Sequence, residues 1–376
     1  MSPRALSWLA GITLIAVIAA AAAVMQRQSA NQIDFEPQLL FPELKERVGA
    51  IAKISLRQGD NEIVVAQTAD GGWVMPDRGG WPANFETIRK AVLGMANLKA
   101  VERRTARAEN HATLQLAPPE APTGSGMQLA LYDSDDAQIA AVIIGKVKSP
   151  GSGAQPGTAY GRRLGEDQVY LIAGEIAPSL DVSTWLDRAL FDIRPERIMS
   201  LTVTPPIGRS FDIVRDSPED EFKISEIPEG KEPVLPDIAR NLAHSVVLLT
   251  LEDVRPASDI AMESPFISVH RMFDGMVLTT RAVETEAGRW ARFEASFDDA
   301  QAERAREAGL FDKYTALLDA EEARAMVSAI NERTDGWAFK VTGMKAADMT
   351  RDYFSLFKTK SDADPAQENP FAFPPR

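Results

Sequence analysis

"IAKISLRQGDNEIVVAQTADGGWVM", residues 51–75, lies over "IMSLTVTPPIGRSFDIVRDSPEDEFKI", residues 198–224, when the chain is slid against itself by 147 to 149 positions. Ile51 falls on Ile198, Leu56 on Val203 and Trp73 on Phe222. In the first copy Ile54 and Leu56 precede a Gly59-Asp60-Asn61 turn, and Ile63 and Val65 follow it. That is the period-two alternation of a half-buried β-hairpin. "GWVM" adds a third strand, and "WPANFETIRKAVLGMANL" then sets Phe85, Ile88, Val92 and Met95 at helical spacing behind Asn84, a fair N-cap.

The match continues downstream. Pro82 falls on Pro233, the helix from Asn84 on "LPDIARNLAHSV" (235–246), and "LKAVERRTA" (98–106) on "LTLEDVRPA" (249–257). More strands follow in each half: "MQLALYDSDDAQIAAVIIG" and "TAYGRRLGEDQVYLIAG" in the first, "FISVHRMFDGMVLTTRAVE" and "GRWARFEASF" in the second. Self-similarity on this scale is read as repeated supersecondary units. Between the halves "STWLDRALFDIRPER" reads as a short amphipathic helix with Trp185, Leu186 and Leu190. Near the end, Asp319 and Glu322 have capping-box spacing ahead of a helix, "GWAFKVTG" reads as a closing strand and "AADMTRDYFSLF" as a last helix.

The 376 residues are 45% hydrophobic and 25% charged, a globular composition with room for a sizeable core. A net charge of −13 argues against nucleic acid, because binding phosphates needs a concentrated basic face. From Ala5 to Met25 the chain runs without a charge, bounded by Arg4 and Arg27. Its length suits a bilayer span of about 20 residues. A cleaved signal peptide, with the alanines from Ala19 to Ala23 as its cleavage region, is the rival reading. Either way the body is exported, and the positive-inside rule keeps Arg4 cytoplasmic. The expected topology is single-pass, with the amino terminus cytoplasmic and the body on the far side of the membrane. No cysteine is present, so neither disulfides nor cysteine lipidation contribute.

The expected fold class is therefore α+β: an N-terminal transmembrane helix, two similar strand-rich units each with an inserted helix, and a C-terminal helix-strand-helix segment. The expected boundaries are an anchor at 1–28, a juxtamembrane spacer at 29–48, a first repeat at 49–180, a linker helix and second repeat at 181–297, a helical and strand segment at 298–359, and a disordered Pro-rich tail at 360–376.

Chemistry is sparse. His111, His244 and His270 have no metal-ligand spacing, and "YDSDDAQ" (132–138) lacks the glycine and distal glutamate of a calcium loop, so it reads as a solvated turn. Ser125 and Ser152 lie in "GSG" loops outside any nucleophile elbow. No catalytic residue, cofactor or metal is expected. "GKVKSPGSGAQPGTAYGRR" (145–163) is the one basic, Gly-rich stretch; it fits no phosphate-loop fingerprint and reads as a long hairpin connection. Its Lys146, Lys148, Arg162 and Arg163 remain possible ligand or partner contacts. So does Trp81: Trp73 has an apolar counterpart in the second copy and reads as core, whereas Trp81 falls on Glu232.

In order along the chain, the N-terminal span, the hairpin closing on Trp73, the Pro-led helix, the Gly-ended "AVIIG", the loop closing with "AYGRR" and "VYLI", then "WLDRALFDI" and "GWAFKV" resemble an uncharacterised domain-of-unknown-function family. Its members are membrane-anchored bacterial envelope proteins, often encoded beside gliding-motility-type ABC transporter components. The resemblance implies the bacterial inner membrane as the place, with the body periplasmic, and a non-enzymatic accessory role with permease and ATPase subunits as partners. It supplies no catalytic or ligand residues. The alternative is an envelope hydrolase or glycan-modifying enzyme whose dispersed carboxylates converge in a cleft.

Overall fold

The computed structural model describes residues 35–148, 157–175 and 179–360. The expected anchor, the centre of the 145–163 loop and the expected tail beyond Lys360 lie outside the described residues. Among those residues no helix is long and apolar enough to cross a membrane. The fold is α+β, and its paired strands are antiparallel. Two compact units emerge among the described residues: the first runs to Val74 and resumes from Phe85 to Leu180, and the second takes Met75–Asn84 together with the described residues from Asp181.

In the first unit, β1 (Gln38–Leu39) and a one-turn helix α1 (Leu44–Arg47) precede β2 (Lys53–Gln58), β3 (Asn61–Gln67) and β4 (Trp73–Met75). The chain then leaves for the second unit, where it forms β5 (Trp81–Pro82). It returns as α2 (Phe85–Ala96), β6 (Lys99–Arg103), β7 (Met127–Tyr132), β8 (Gln138–Val147), β9 (Thr158–Arg163) and β10 (Tyr170–Ala173). Among the strands of the first unit the order is β1-β6-β10-β9-β8-β7-β2-β3-β4. The alternation read from the sequence sets the register: Ile54 faces Val65 and Leu56 faces Ile63, all four buried. Gly59, at φ +61°, makes the tight turn between them. Helix α2 buries Ile88, Val92 and Met95 as its spacing predicts. Phe85 does not join them and stands 61% exposed, because a helical side chain leans toward the preceding turn and Phe85 has none before it.

The second unit contains α3 (Val182–Trp185), β11 (Ala189–Phe191), β12 (Ile198–Thr204), β13 (Phe211–Val214), β14 (Lys223–Ile224), β15 (Lys231–Pro233) and α4 (Ile238–Ala243). There follow β16 (Leu249–Pro256), β17 (Phe266–Met272), β18 (Met276–Thr285), β19 (Gly288–Phe297), α5 (Asp299–Glu307), α6 (Leu310–Lys313), α7 (Ala320–Thr334), β20 (Trp337–Val341), α8 (Gly343–Met349) and β21 (Phe357–Thr359). Its sheet runs β11-β16-β20-β19-β18-β17-β12-β13-β14, while β15 pairs with β21 apart from it. Position for position this is the order of the first sheet, with β11 in the place of β1, β16 of β6 and β20 of β10.

Three local readings differ from the sequence expectation. "GWAFKV" is no closing strand: β20 lies between β16 and β19, with Ala338, Phe339 and Val341 buried. The helices before it fill the β19–β20 connection, which in the first unit is the short link from Arg163 to Tyr170. The linker helix is a single turn, because Leu186 is already extended (φ −80°, ψ 144°) and Leu190 belongs to β11. The last helix stops at Met349, and residues 354–356 form only a 3-10 turn. The capping box does form: Asp319 accepts from the Glu322 amide, and the Glu322 carboxylate accepts from the Asp319 amide.

The core of the second unit also buries charge and polarity. Arg197 and Asp274 are 2% and 0% exposed and pair through two hydrogen bonds, Nε to Oδ2 at 2.6 Å and Nη2 to Oδ1 at 3.2 Å. His270 on β17 is fully buried, its Nε2 3.4 Å from the Ser245 hydroxyl. Burial holds its imidazole down from 6.5 to about 4, against the pull of the Leu242 and Ala243 carbonyls. The folded state therefore keeps His270 neutral at pH values where the unfolded chain binds a proton. Its contribution to stability is complete above pH 6.5 and is lost as pH falls toward 4, by up to about 3 kcal/mol. Urea midpoints measured across that window should fall in the wild type and fall less in His270→Gln; parallel profiles for the two would refute the assignment.

Candidate interaction surface

Trp81 lies in the second unit, and its ring is 2% exposed. Two glycines bring it there. Gly79 and Gly80, at φ +65° and +85°, close the turn after Pro76–Arg78, and a Cβ on Gly79 would sit 2.9 Å from Pro256 and 3.1 Å from Trp337. The indole meets Trp337 and Phe339 edge-on at 5.2 and 5.3 Å, and its Nε1 donates to the Asp187 carbonyl at 2.9 Å. The Arg333 guanidinium lies over the ring at 4.9 Å. Nearby, Arg78 Nε pairs with Asp253 at 2.6 Å and the Asn84 amide donates to the Trp185 carbonyl. Trp81 is thus core, not a contact surface, while Trp73 is half-buried. The sequence ranked the two tryptophans in reverse, because a missing counterpart in the other repeat says nothing of which core a side chain enters.

The four basic candidates separate by burial. Arg162 is 5% exposed, its Nε donating to the Leu116 carbonyl and its Nη1 to that of Glu166. Burial pushes its guanidinium below its usual range, with Asp167 opposing. Arg163 donates twice to the Leu40 carbonyl and pairs with Glu166. Both are structural ties. Lys146 and Lys148 are exposed and bond no described residue through their side chains.

The histidines are likewise absorbed into the fold. His111 Nε2 lies 3.0 Å from the Asp167 carbonyl, and His244 meets Phe222 edge-on at 5.6 Å. In "YDSDDAQ" the Asp133 carboxylate accepts from the Asp135 and Ala137 amides, which makes it a self-satisfied turn. Among the described residues no group of three His, Cys, Asp or Glu could hold a metal ion.

Sequence reasoning missed an apolar cluster on the second unit, centred on Tyr353. That ring is 2% exposed and packs against Phe211, Phe354 and Phe357 at 6.0, 5.4 and 5.1 Å. Its hydroxyl donates to the Glu226 carbonyl at 3.0 Å, and the Arg209 guanidinium covers it at 4.8 Å. Around this buried hub the chain leaves Ile207 90%, Phe354 69%, Leu235 51% and Ile227 50% exposed. Ile227 follows Glu226, Ile207 is two residues before Arg209, and Leu235 follows Val234, whose amide donates to the Leu356 carbonyl. These four exposed apolar side chains thus lie on segments tied to one hub, whereas the apolar exposures of an ordinary surface are scattered singly. The readable signal was "TPPIGRS", an isoleucine between a double proline and a glycine at a hairpin tip.

Fold and surface together define a duplicated antiparallel α+β body that presents an apolar cluster on its second unit. A family model described as a domain of unknown function, DUF4340, matches residues 73–264, just over half of the chain, and the chain belongs to that family. The match begins at Trp73 and ends ahead of β17, so it takes in segments of both units. No curated protein and no solved structure matches the chain.

Proposed function

We propose that this chain is a membrane-anchored periplasmic scaffold, an auxiliary component of an ABC-type transporter complex of the bacterial inner membrane, and not an enzyme. The observation that carries the reading is the Tyr353-centred cluster, whose exposed Ile207, Ile227, Leu235 and Phe354 fit the fully desolvated centre of a protein interface. The occupant is an apolar segment of a permease subunit. The uncharged run from Ala5 to Met25 supports it, since an anchor would hold the body beside such a subunit. Membership of the domain-of-unknown-function family is compatible with this role and adds no catalytic residue.

The test is photo-crosslinking in cells from position 354, followed by affinity purification from solubilised membranes. Permease and ATPase subunits should be recovered, and Ile207→Glu with Leu235→Glu should abolish the crosslink while leaving the circular dichroism spectrum intact. Recovery of the bare protein alone would overturn the proposal.

A further inference from the structure

A cleft of about 330 Å³ opens on the second unit where β12, β17 and the β17–β18 turn meet the start of α5. Met199 and Val277 line its apolar side, and Arg271, Arg304, Gln301 and Asp298 its polar side. The volume falls at the low end of small-molecule sites, which combine an apolar floor with a few placed polar groups.

The charges are arranged to receive rather than to neutralise one another. Gln301 is held by its Nε2, which donates to the Phe273 carbonyl at 3.2 Å, and its Oε1 accepts from Arg304 Nε and Nη2 at 3.2 and 2.9 Å. Arg304 is thereby oriented by a neutral amide and not by a carboxylate. Arg271 makes no side-chain hydrogen bond or ion pair with any described residue, and its register partners are Ser200 on β12 and Val277 on β18. The one acid in the cleft is already engaged: Asp298 caps α5 by accepting from the Gln301 amide at 3.0 Å. Gly275, at φ +90°, draws this corner together, since a Cβ there would come within 2.7 Å of the Asp298 carbonyl.

We infer that this cleft binds a small oxyanion, a phosphate or carboxylate group, between Arg271 and Arg304, with the ligand's apolar part against Met199 and Val277. The acidic surplus of the chain does not forbid it, because charges more than about 8 Å away are largely screened at physiological salt, whereas Arg271 and Arg304 line the cleft itself. Planar guanidinium forks suit both phosphate and carboxylate oxygens.

Calorimetric titration of the full chain in detergent with inorganic phosphate, and separately with succinate, tests the site and distinguishes the two sources. At least one should bind, and Arg271→Ala or Arg304→Ala should weaken it about tenfold or more, the usual loss for a charge-assisted hydrogen bond. Arg194→Ala removes another exposed arginine that has no side-chain partner among the described residues, and should leave binding unchanged. Arg271→Lys, which keeps the charge and loses the fork, should fall between wild type and Arg271→Ala. Absence of binding by both anions, or equal binding by wild type, Arg271→Ala and Arg304→Ala, would overturn the inference.

Discussion

Trp81→Ala is expected to destabilise the second unit by about 3–5 kcal/mol, the range for emptying a buried aromatic site. The loss has three parts. The cavity removes edge contacts to Trp337 and Phe339, the Asp187 carbonyl loses the indole donor, and Arg333 loses the ring it covers. Trp73→Ala, at a half-buried position, should cost clearly less. Urea unfolding followed by far-ultraviolet circular dichroism gives the comparison, and amide exchange at β20 and α3 locates it. A Trp81→Ala effect within about 0.5 kcal/mol, the range of ordinary surface substitutions, would show that the ring is not core. A fragment beginning at Asp181 should carry the same defect, because it lacks residues 75–84 altogether.

Arg197→Met is expected to cost about 3–5 kcal/mol at neutral pH, because it leaves the fully buried Asp274 carboxylate without a counter-charge. Dispersion is not the issue: methionine fills part of the space, and Met276 and Met326 already lie beside the guanidinium. The penalty comes from the charge left behind. Arg197→Met combined with Asp274→Asn should therefore be more stable than Arg197→Met alone, since the neutral amide leaves no buried charge and its single oxygen can still accept from one of the two amides, Met276 and Leu318, that Oδ1 and Oδ2 now serve. A double variant as unstable as the sum of the two single changes would mean the pair contributes packing, not charge balance.

Much of the architecture was legible because it rests on local patterns. The alternation through Ile54, Leu56, Ile63 and Val65 and its echo from Ile198 to Ile224 gave the duplicated hairpin, and Asp319 with Glu322 gave a helix start. What escaped were non-local choices. Periodicity says that Trp81 and Trp73 sit near apolar positions; it cannot say that one of them leaves its own repeat for the other unit's core. Nor does it reveal that β20 inserts between β16 and β19, since that depends on partners about fifty and ninety residues earlier in the chain. The candidate site was less readable still. Arg162 and Arg163 looked like a basic loop end and are tied to the Leu116 and Leu40 carbonyls, whereas the exposed cluster around Tyr353 is assembled from four separate stretches between Ile207 and Phe357.

The excursion of residues 75–84 also bears on the order in which the chain acquires its structure. Every strand of the first sheet lies before Leu180, so that unit can close once those residues are available. Trp81 must wait for Asp187, 106 residues on, and for Trp337, farther still. Bringing such distant partners together carries a loop-closure entropy that grows with the logarithm of the separation, and contacts of this range slow folding. During vectorial emergence from the amino terminus, the indole of Trp81 stays without these partners until the second unit has emerged, so its burial is a late event.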